Sequence, residues 1–204
     1  LELLAPAGNL DAVIAAVQNG ADAVYMGFGD GFNARRSADN FTRESFAKAV
    51  RYCHIRGCKV YVTLNTLVGD REMESAAALA QQASDAGADA ILVQDLGLAR
   101  VLRDALPDIP LHASTQMSIH NLAGVEAAAE MGITRAVLSR ELSLEQIRFI
   151  SQHASIETEV FVHGALCFCY SGQCYMSALI GRRSGNRGAC AQPCRMQYSM
   201  GGRM

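Results

Sequence analysis

The chain has 204 residues and seven cysteines, half of its residues are apolar, and its net charge is −2 at pH 7. A chain of this length can bury a substantial core, so its cysteines are not needed to replace one. No apolar run approaches the ~20 residues of a membrane span, and the first residues do not resemble a signal peptide, which favours a cytoplasmic protein. In that compartment, clustered cysteines bind metals or react more often than they form disulfides.

The first 164 residues repeat a pattern in which an amphipathic stretch ends at a glycine and a short apolar run follows. Residues 19–25 are echoed by residues 86–92, and Gly57 and Gly132 fill the same place in two other repeats. Glycine accepts the left-handed backbone that closes a helix, so each repeat predicts a helix, a tight turn and a buried strand. The predicted strands are residues 2–5, 23–28, 59–65, 90–95, 110–115, 135–139 and 157–163. The predicted helices are residues 9–19, 42–56, 71–86, 96–106, 121–131 and 143–153.

This alternation predicts an α/β fold with a parallel sheet, because the strands are continuous apolar runs that helices cover on their outer side. Units of roughly 20–35 residues favour a TIM-like (β/α) barrel, complete or nearly so, formed by a first domain of residues 1–164. An open, doubly wound sheet is the alternative. No G-x-G-x-x-G segment follows a predicted strand, so a dinucleotide site is not favoured.

Polar residues follow the predicted strands, at the edge where barrel enzymes place their active sites. Glu159 and His163 are four residues apart on one predicted strand, so they would point to the same face, as an acid–base pair requires. Arg140 follows the preceding strand and is able to bind a carboxylate or phosphate. The alternative is that such residues only cap helices and hydrogen-bond to loops. The other polar residues at these strand ends are Asn65, Gln94, Asp95, residues 112–116 and Glu141.

Residues 165–204 form a second predicted unit, a loop segment rich in cysteine and arginine. They hold five arginines and no acidic residue, whereas residues 1–164 hold 13 basic and 20 acidic residues. Five of the seven cysteines lie here, without the C-x2-C pairs that structural zinc sites use. An iron–sulfur cluster accepts less regular spacing, and zinc ligands or reactive or inert thiols remain alternatives. The cysteines are Cys167, Cys169, Cys174, Cys190 and Cys194.

The residues around the first of these thiols match a long pattern, E-x-F-x-x-G-[SA]-[LIVM]-C-x4-G-x-C-x-[LIVM]-S. Every fixed position is filled, by Glu159, Phe161, Gly164, Ala165, Leu166, Cys167, Gly172, Cys174, Met176 and Ser177. This pattern resembles the signature of the peptidase U32 family, also called collagenase-like peptidases. Residues 2–10, 20–25, 139–143 and 186–190 also resemble that family, so the similarity covers essentially the whole chain.

The resemblance implies a barrel-like domain followed by further segments, and either proteolysis or oxygen-independent hydroxylation as the activity. Family members of the second kind hydroxylate a tRNA uridine, an rRNA cytidine or a ubiquinone precursor, with prephenate as the implied oxygen donor. They are described as carrying a 4Fe–4S cluster on four cysteines. Carried over to this sequence, three of the ligands are Cys167, Cys174 and Cys190. The fourth would lie beyond residue 204, with Cys194 or Cys169 as substitutes.

We therefore expect an iron–sulfur-dependent enzyme that hydroxylates a base of tRNA or rRNA, with RNA and prephenate as partners. The arginines of residues 165–204 are interleaved with tyrosines and supply charge and stacking faces for RNA, although ordinary solvated loop arginines are the alternative. A collagenase-like peptidase that acts on peptides is a second hypothesis, with Cys167 and His163 as its one candidate dyad. A non-catalytic iron–sulfur subunit is a third. The chain itself is expected to be a piece of a longer protein.

Overall fold

The computed structural model describes residues 1–29, 31–34, 40–164 and 166–199. In this part of the chain, seven parallel strands lie side by side in sequence order, and a helix follows each of the first six. The strands are β1 (Leu4–Pro6), β2 (Ala23–Met26), β3 (Lys59–Leu64), β4 (Ala90–Val93), β5 (Leu111–Ala113), β6 (Arg135–Val137) and β7 (Glu157–Glu159). The helices are α1 (Leu10–Gln18), α2 (Arg43–His54), α3 (Met73–Asp85), α4 (Leu96–Ala105), α5 (Leu122–Glu130), α6 (Leu144–His153) and α7 (Met176–Gly181).

The predicted strands and helices of residues 1–164 are all present, and their ends differ from the prediction by no more than about one helical turn. The helix-closing glycines are confirmed as well. Gly20, Gly57, Gly87 and Gly132 all have a positive φ, between 71° and 96°. Each of them ends a helix and allows the chain to turn into the next strand, so these boundaries are determined locally.

The strand order decides between the two predicted architectures. Each strand pairs in parallel with its neighbours in sequence, whereas a doubly wound sheet reverses its order at one point, so that alternative is wrong. Glu2 accepts hydrogen bonds from Tyr61 on β3 at 2.9 Å and Arg135 on β6 at 2.5 Å, so the sheet curves around this carboxylate as a barrel does. Among the described residues β7 does not pair with β1, and the barrel-like sheet is open there.

The main core lies between the outer face of this sheet and the helices. Leu98 and Leu102 are one turn apart on α4 and fully buried, which is the stripe expected of a helix that covers a sheet. Strand β3 contributes Val60 and Val62 to the outer core, while Tyr61 between them points to the concave side. The sheet therefore has an inner face that can hold polar groups.

A charged network fills the inner face near the amino ends of the strands. The Arg135 side chain is only 9 % exposed and lies within 3.5 Å of carboxylate oxygens of Glu2, Glu157 and Glu159. Burial of Glu2 acts to raise its pKa, but hydrogen bonds from Arg135 and Tyr61 outweigh it and lower the pKa from 4.5 to about 2. The network joins the start of the chain to β6 and β7.

The lowered pKa of Glu2 predicts an acid-sensitive contribution to stability. A group whose folded pKa is depressed stabilises the fold above its unfolded pKa and loses that contribution as the pH falls toward the folded value. We expect Glu2→Gln to reduce the free energy of unfolding at pH 6, and the difference from wild type to shrink between pH 4.5 and about pH 2. Urea unfolding of both proteins across this pH range measures the difference in the free energy of unfolding. Glu44→Gln, which removes an exposed pair with Lys48, is the control and should change stability little.

Residues 166–199 do not form an uninterrupted loop. They contain α7 and two single turns of 3₁₀ helix, at Gly185–Arg187 and Pro193–Arg195. Ala165 and residues 200–204 of the predicted second unit lie outside the described residues, and the division into residues 1–164 and 165–204 stays a prediction. No helix in the described ranges is long and apolar enough to cross a membrane.

Candidate functional site

A small cavity lies inside the curved sheet at the carboxyl ends of its strands, the end at which barrel enzymes bind their substrates. It measures about 40 Å³, which is room for about two water-sized groups. Hydroxyl and amide groups line it together with apolar side chains, and an acidic residue lies at the end of β7. The lining residues are Tyr25, Thr63, Asn65, Leu92, Ser114, Thr115, Val137, Glu159 and Phe161.

Glu159 is the titratable group of this cavity. Its side chain is 17 % exposed, and Oε2 is buried without a hydrogen-bond partner among the described residues, although Arg135 Nη1 lies 3.5 Å away. Burial raises the pKa of Glu159, and Arg135 opposes that shift without cancelling it. A raised pKa favours the protonated carboxyl, which can donate a hydrogen bond or a proton to an acceptor in the cavity.

His163 does not join Glu159 in the cavity. Strand β7 ends at Glu159, four residues before its predicted end, so the strand alternation that placed both side chains on one face does not reach His163. His163 and Cys167 are both exposed, and within the described part of the chain no hydrogen bond joins His163 to either Glu159 or Cys167. The predicted acid–base pair and the predicted Cys–His dyad are therefore not assembled here, and the catalytic roles stay predictions.

Ser171 fixes the cysteine-rich segment onto the rim of the sheet. It is fully buried, and the Glu141 Oε1 atom accepts hydrogen bonds from both its amide and its hydroxyl at 3.0 Å. Arg140 donates to the same hydroxyl from Nε at 3.3 Å and from Nη2 at 3.2 Å. The Ser118 hydroxyl donates to the Ser171 carbonyl. Arg140, predicted as an anion-binding catalytic residue, thus holds a backbone segment in place.

A second anchor lies on the opposite side of the rim, in the loop after β3. Arg187 Nη1 donates to Glu72 Oε2 at 2.8 Å and also to the Leu67 carbonyl. Leu67 N in turn donates to the carbonyl of Asn186 at 3.2 Å, and the Asn186 side chain is buried. Two separate attachments, about Ser171 and about Arg187, therefore hold residues 166–199 across the carboxyl ends of β3, β5 and β6.

The thiols lie on the outside of this docked segment. Cys167 and Cys190 are exposed, and Cys174 is half-buried. Desolvation and the adjacent Cys174 thiol raise the pKa of Cys169, so Cys169 and Cys174 are neighbours. Among the described residues, no three His, Cys, Asp or Glu side chains lie close enough together to hold a metal. Cys167, Cys174 and Cys190 therefore do not form a ready-made metal-binding group in this conformation.

Several other residues of the rim have structural roles. Asp95 caps the first turn of α4 at 2.9 Å and accepts a second hydrogen bond from Val68 N at 3.2 Å. Asn65 donates to the Ser114 hydroxyl at 3.2 Å, between the ends of β3 and β5. His112 lies on the inner face of β5, where burial lowers its pKa to about 3, so it is neutral at physiological pH. For Asp95 and Asn65, capping and loop hydrogen bonds describe the structure better than a catalytic role does, whereas His112 Nδ1 is buried without a hydrogen-bond partner among the described residues.

His120 is a rim residue that the sequence patterns do not indicate. Its Nδ1 atom lies 2.6 Å from the Ser118 carbonyl and its Nε2 atom 3.2 Å from Glu141 Oε2, so it extends the network around Ser171. Its ring packs edge-on against Tyr170, with the ring centres 5.7 Å apart. No fixed spacing connects His120 with residues about 50 positions later, so only the docked segment brings them together.

The sequence of the chain is similar to a protein family and to several characterised proteins. A model of "Peptidase family U32" matches residues 8–203. The 23S rRNA 5-hydroxycytidine C2501 synthase of Escherichia coli (strain K12) is 45 % identical over 200 residues, which cover 98 % of this chain and 30 % of that protein. The tRNA hydroxylation protein P1 of Bacillus subtilis (strain 168) is 40 % identical over 199 residues, 98 % of this chain and 47 % of that protein. The chain thus spans less than half of either relative.

A solved structure supports the barrel-type fold. The U32 peptidase Mk0906 superposes with a TM-score of 0.67 and 17 % sequence identity, over 82 % of this chain and 70 % of that one. Identity at this level supports the fold alone. It agrees with the sequential order of the seven parallel strands described above.

Proposed function

Because the chain belongs to peptidase family U32, with residues 8–203 matching the family model, we propose that it is part of an enzyme that hydroxylates a base of tRNA or rRNA. The observation that carries this proposal is the 45 % identity, over nearly the whole chain, to a protein named as an rRNA 5-hydroxycytidine synthase. The tRNA hydroxylation protein at 40 % identity supports the same class of substrate. Such a protein would work in the cytoplasm, where these RNAs are modified.

The structure supports a reaction at the rim. The cysteine-bearing segment is held beside the cavity that contains Glu159, at the end of the sheet where barrel enzymes react. In this proposal Glu159, whose pKa is raised by burial, accepts or donates a proton at its carboxyl during the reaction, and Arg140 is a positioning residue that acts through Ser171. His163 is exposed and free to meet a substrate approaching from solvent. The prephenate anion, as oxygen donor, and the RNA phosphates would both be attracted to the arginines of the segment.

We propose that Cys167, Cys174 and Cys190 bind a 4Fe–4S cluster, with the fourth thiolate supplied by Cys169, Cys194 or a residue outside positions 1–204. When bound, such a cluster supplies electron-transfer or Lewis-acid chemistry. The three thiols are not gathered in the conformation described above, so the stretches that carry them, before Ser171, between Ser171 and Arg187, and after Arg187, have to rearrange as the cluster forms. The exposure of Cys167 and Cys190 is compatible with that movement.

Nucleoside mass spectrometry tests the function. We expect deletion of the full-length gene to remove one hydroxylated pyrimidine nucleoside from digests of total tRNA or rRNA, and expression of the wild-type gene to restore it. Retention of every hydroxylated nucleoside after deletion would overturn the proposal. Restoration only in the presence of an intact partner enzyme, with no turnover by the purified protein, would favour a non-catalytic iron–sulfur subunit.

The ligand assignment predicts a spectroscopic loss. After anaerobic reconstitution of the full-length protein with iron and sulfide, Cys174→Ala should lack most of the visible absorbance of the cluster and fail to restore the nucleoside. Cys58→Ala is the control, because Cys58 is buried at the amino end of β3, away from the rim. It should retain the absorbance. Equal absorbance in both variants would contradict the assignment of Cys174.

A collagenase-like peptidase is the second candidate, favoured by the name of the matching family. Proteolysis requires an activated nucleophile or a metal-bound water. Neither a hydrogen-bonded Cys167–His163 pair nor a metal-holding group of side chains is assembled in the described ranges. Cleavage of gelatin by the pure protein, abolished by Cys167→Ala, would favour the peptidase.

A further inference from the structure

A second and larger cavity lies outside the barrel, between the amino ends of α5 and α6. It has a volume of about 350 Å³, within the usual range for sites that hold a small organic molecule. It is distinct from the cavity beside Glu159, because the two share no lining residue. The lining residues are His120, Asn121, Leu122, Glu145, Gln146, Phe149 and Ile150.

The polar groups of this cavity are a mixture of donors and acceptors. Asn121 caps α5 through its Oδ1 atom, which accepts from Gly124 N at 2.8 Å, so the group left for a ligand is its NH₂. Gln146 does the same for α6, since its Oε1 atom accepts from Ser143 N at 2.8 Å. Glu145 adds an acceptor. The cavity therefore offers two amide donors and a carboxylate acceptor along its polar edge.

His120 adds a further polar atom, and Phe149 supplies an aromatic wall. The His120 Nε2 atom is buried and makes no hydrogen bond among the described residues, although Glu141 Oε2 lies 3.2 Å from it. Phe149 is 54 % exposed and packs against His153 at a tilt, with ring centres 4.5 Å apart. Leu122 and Ile150 complete the apolar side.

The cavity is connected to the thiols through His120. The ring of Tyr170 packs edge-on against His120, and Tyr170 directly follows Cys169. A molecule held in this cavity would thus lie beside the cysteine-bearing segment rather than on the far side of the barrel. The arrangement links a binding surface to the site of the proposed reaction.

We propose that this cavity binds one unpaired base of RNA, an inference that rests on the proposed function. A base presents apolar faces that stack on an aromatic ring and an edge with both carbonyl acceptors and N–H donors, which is what the cavity can match. The carboxylates of Glu145 and of nearby Glu141 disfavour a phosphate group. The polar edge disfavours a purely apolar side chain from a protein partner.

The sharpest test is Asn121→Asp in the full-length protein. Aspartate keeps the cap oxygen of α5 but replaces the NH₂ donor with an acceptor, so the fold should persist while base binding weakens about tenfold. The matched control is Asn9→Asp, because Asn9 caps α1 through Ala12 N at 2.9 Å in the same way and lies outside the cavity. Fluorescence anisotropy with labelled single-stranded oligocytidylate and oligouridylate measures both, and the control should bind like wild type.

A second variant tests the aromatic wall. Phe149→Ala should also weaken binding of the single-stranded oligonucleotides about tenfold, because stacking on one aromatic side chain is lost. Leu144→Ala removes an exposed apolar residue of the same helix, outside the cavity, and should leave binding unchanged. A fully paired RNA duplex should bind with equal affinity to all four variants, since its bases are not free to enter.

The outcomes separate this inference from the proposed function. If Asn121→Asp and Phe149→Ala bind both oligonucleotides as tightly as wild type, the cavity does not hold a base, even where deletion of the gene still removes a hydroxylated nucleoside. If both variants lose binding but deletion removes no nucleoside, the assignment of the cavity to an RNA base is supported and the proposed hydroxylation is overturned. If these two variants lose binding to a peptide probe while they still bind RNA as wild type does, the inference is also overturned.

Discussion

Replacing Arg135 by methionine is expected to lower the free energy of unfolding by about 3–5 kcal/mol, the usual cost of removing one partner of a buried ion pair. The Arg135 guanidinium is held against Glu2, Glu157 and Glu159 on the inner face of the sheet. Methionine fills a similar volume but neutralises none of these carboxylates. Among the described residues Glu2 would keep only Tyr61 and Lys59 as partners, and Glu159 would lose the cation nearest its buried carboxyl, in an environment that solvates charge poorly.

Chemical denaturation of the full-length protein measures this loss, with Arg100→Met as the matched control. Arg100 also pairs with a carboxylate, Asp104, but both side chains are well exposed, so the change should be below about 1 kcal/mol. Adding Glu2→Gln to Arg135→Met should cost less than the sum of the two single changes, because the glutamine carries no charge that Arg135 would have to balance. A loss of less than about 1 kcal/mol for Arg135→Met would show that the network does not hold the ends of the sheet together.

The fold was largely predictable because its determinants are local. Glycines such as Gly20 and Gly132 terminate helices whatever the rest of the chain does, and the apolar runs that follow them can only be buried strands. The end of β7 was not predictable in this way. Residues after Glu159 continue as an apolar run, but Phe161 and Val162 are exposed, so no neighbouring strand or helix buries them among the described residues. Helix α7 was missed because its cysteine-rich surroundings are typical of a loop.

The candidate site was predictable in its location and less so in its contacts. The carboxyl ends of parallel strands meet at one edge, so Arg140, Glu141 and Glu159 had to lie near it. Their partners depend on how the later segment docks. Ser171 reaches Glu141 across 30 positions, a contact that no spacing rule supplies. The separation of Glu159 from His163 follows from a strand that ends early, which periodicity within that strand does not reveal.

The docking of that segment leads to the second large expected effect, a loss of the proposed RNA hydroxylation on Gly172→Ala. Gly172 follows Ser171 with a φ of +74°, a conformation that costs alanine about 1–2 kcal/mol. A Cβ atom there would lie 2.1 Å from the backbone oxygen of Gln116, in the loop after β5. Backbone cannot move aside as a flexible side chain can, so the segment would have to lift away from the rim.

We expect Gly172→Ala to expose residues 166–199 to limited proteolysis and to restore little of the hydroxylated nucleoside in a deletion strain, while the barrel-like part unfolds as in wild type. Gly181→Ala is the control, because it lies in the same segment, in α7, with open space around its added Cβ and no positive φ. The control should resist proteolysis and restore the nucleoside. Full activity of Gly172→Ala, with the protease pattern of wild type, would mean that close docking on Gln116 is not needed for the reaction. An inactive variant whose segment stays protected would point instead to a direct effect on the neighbouring Cys174 thiol.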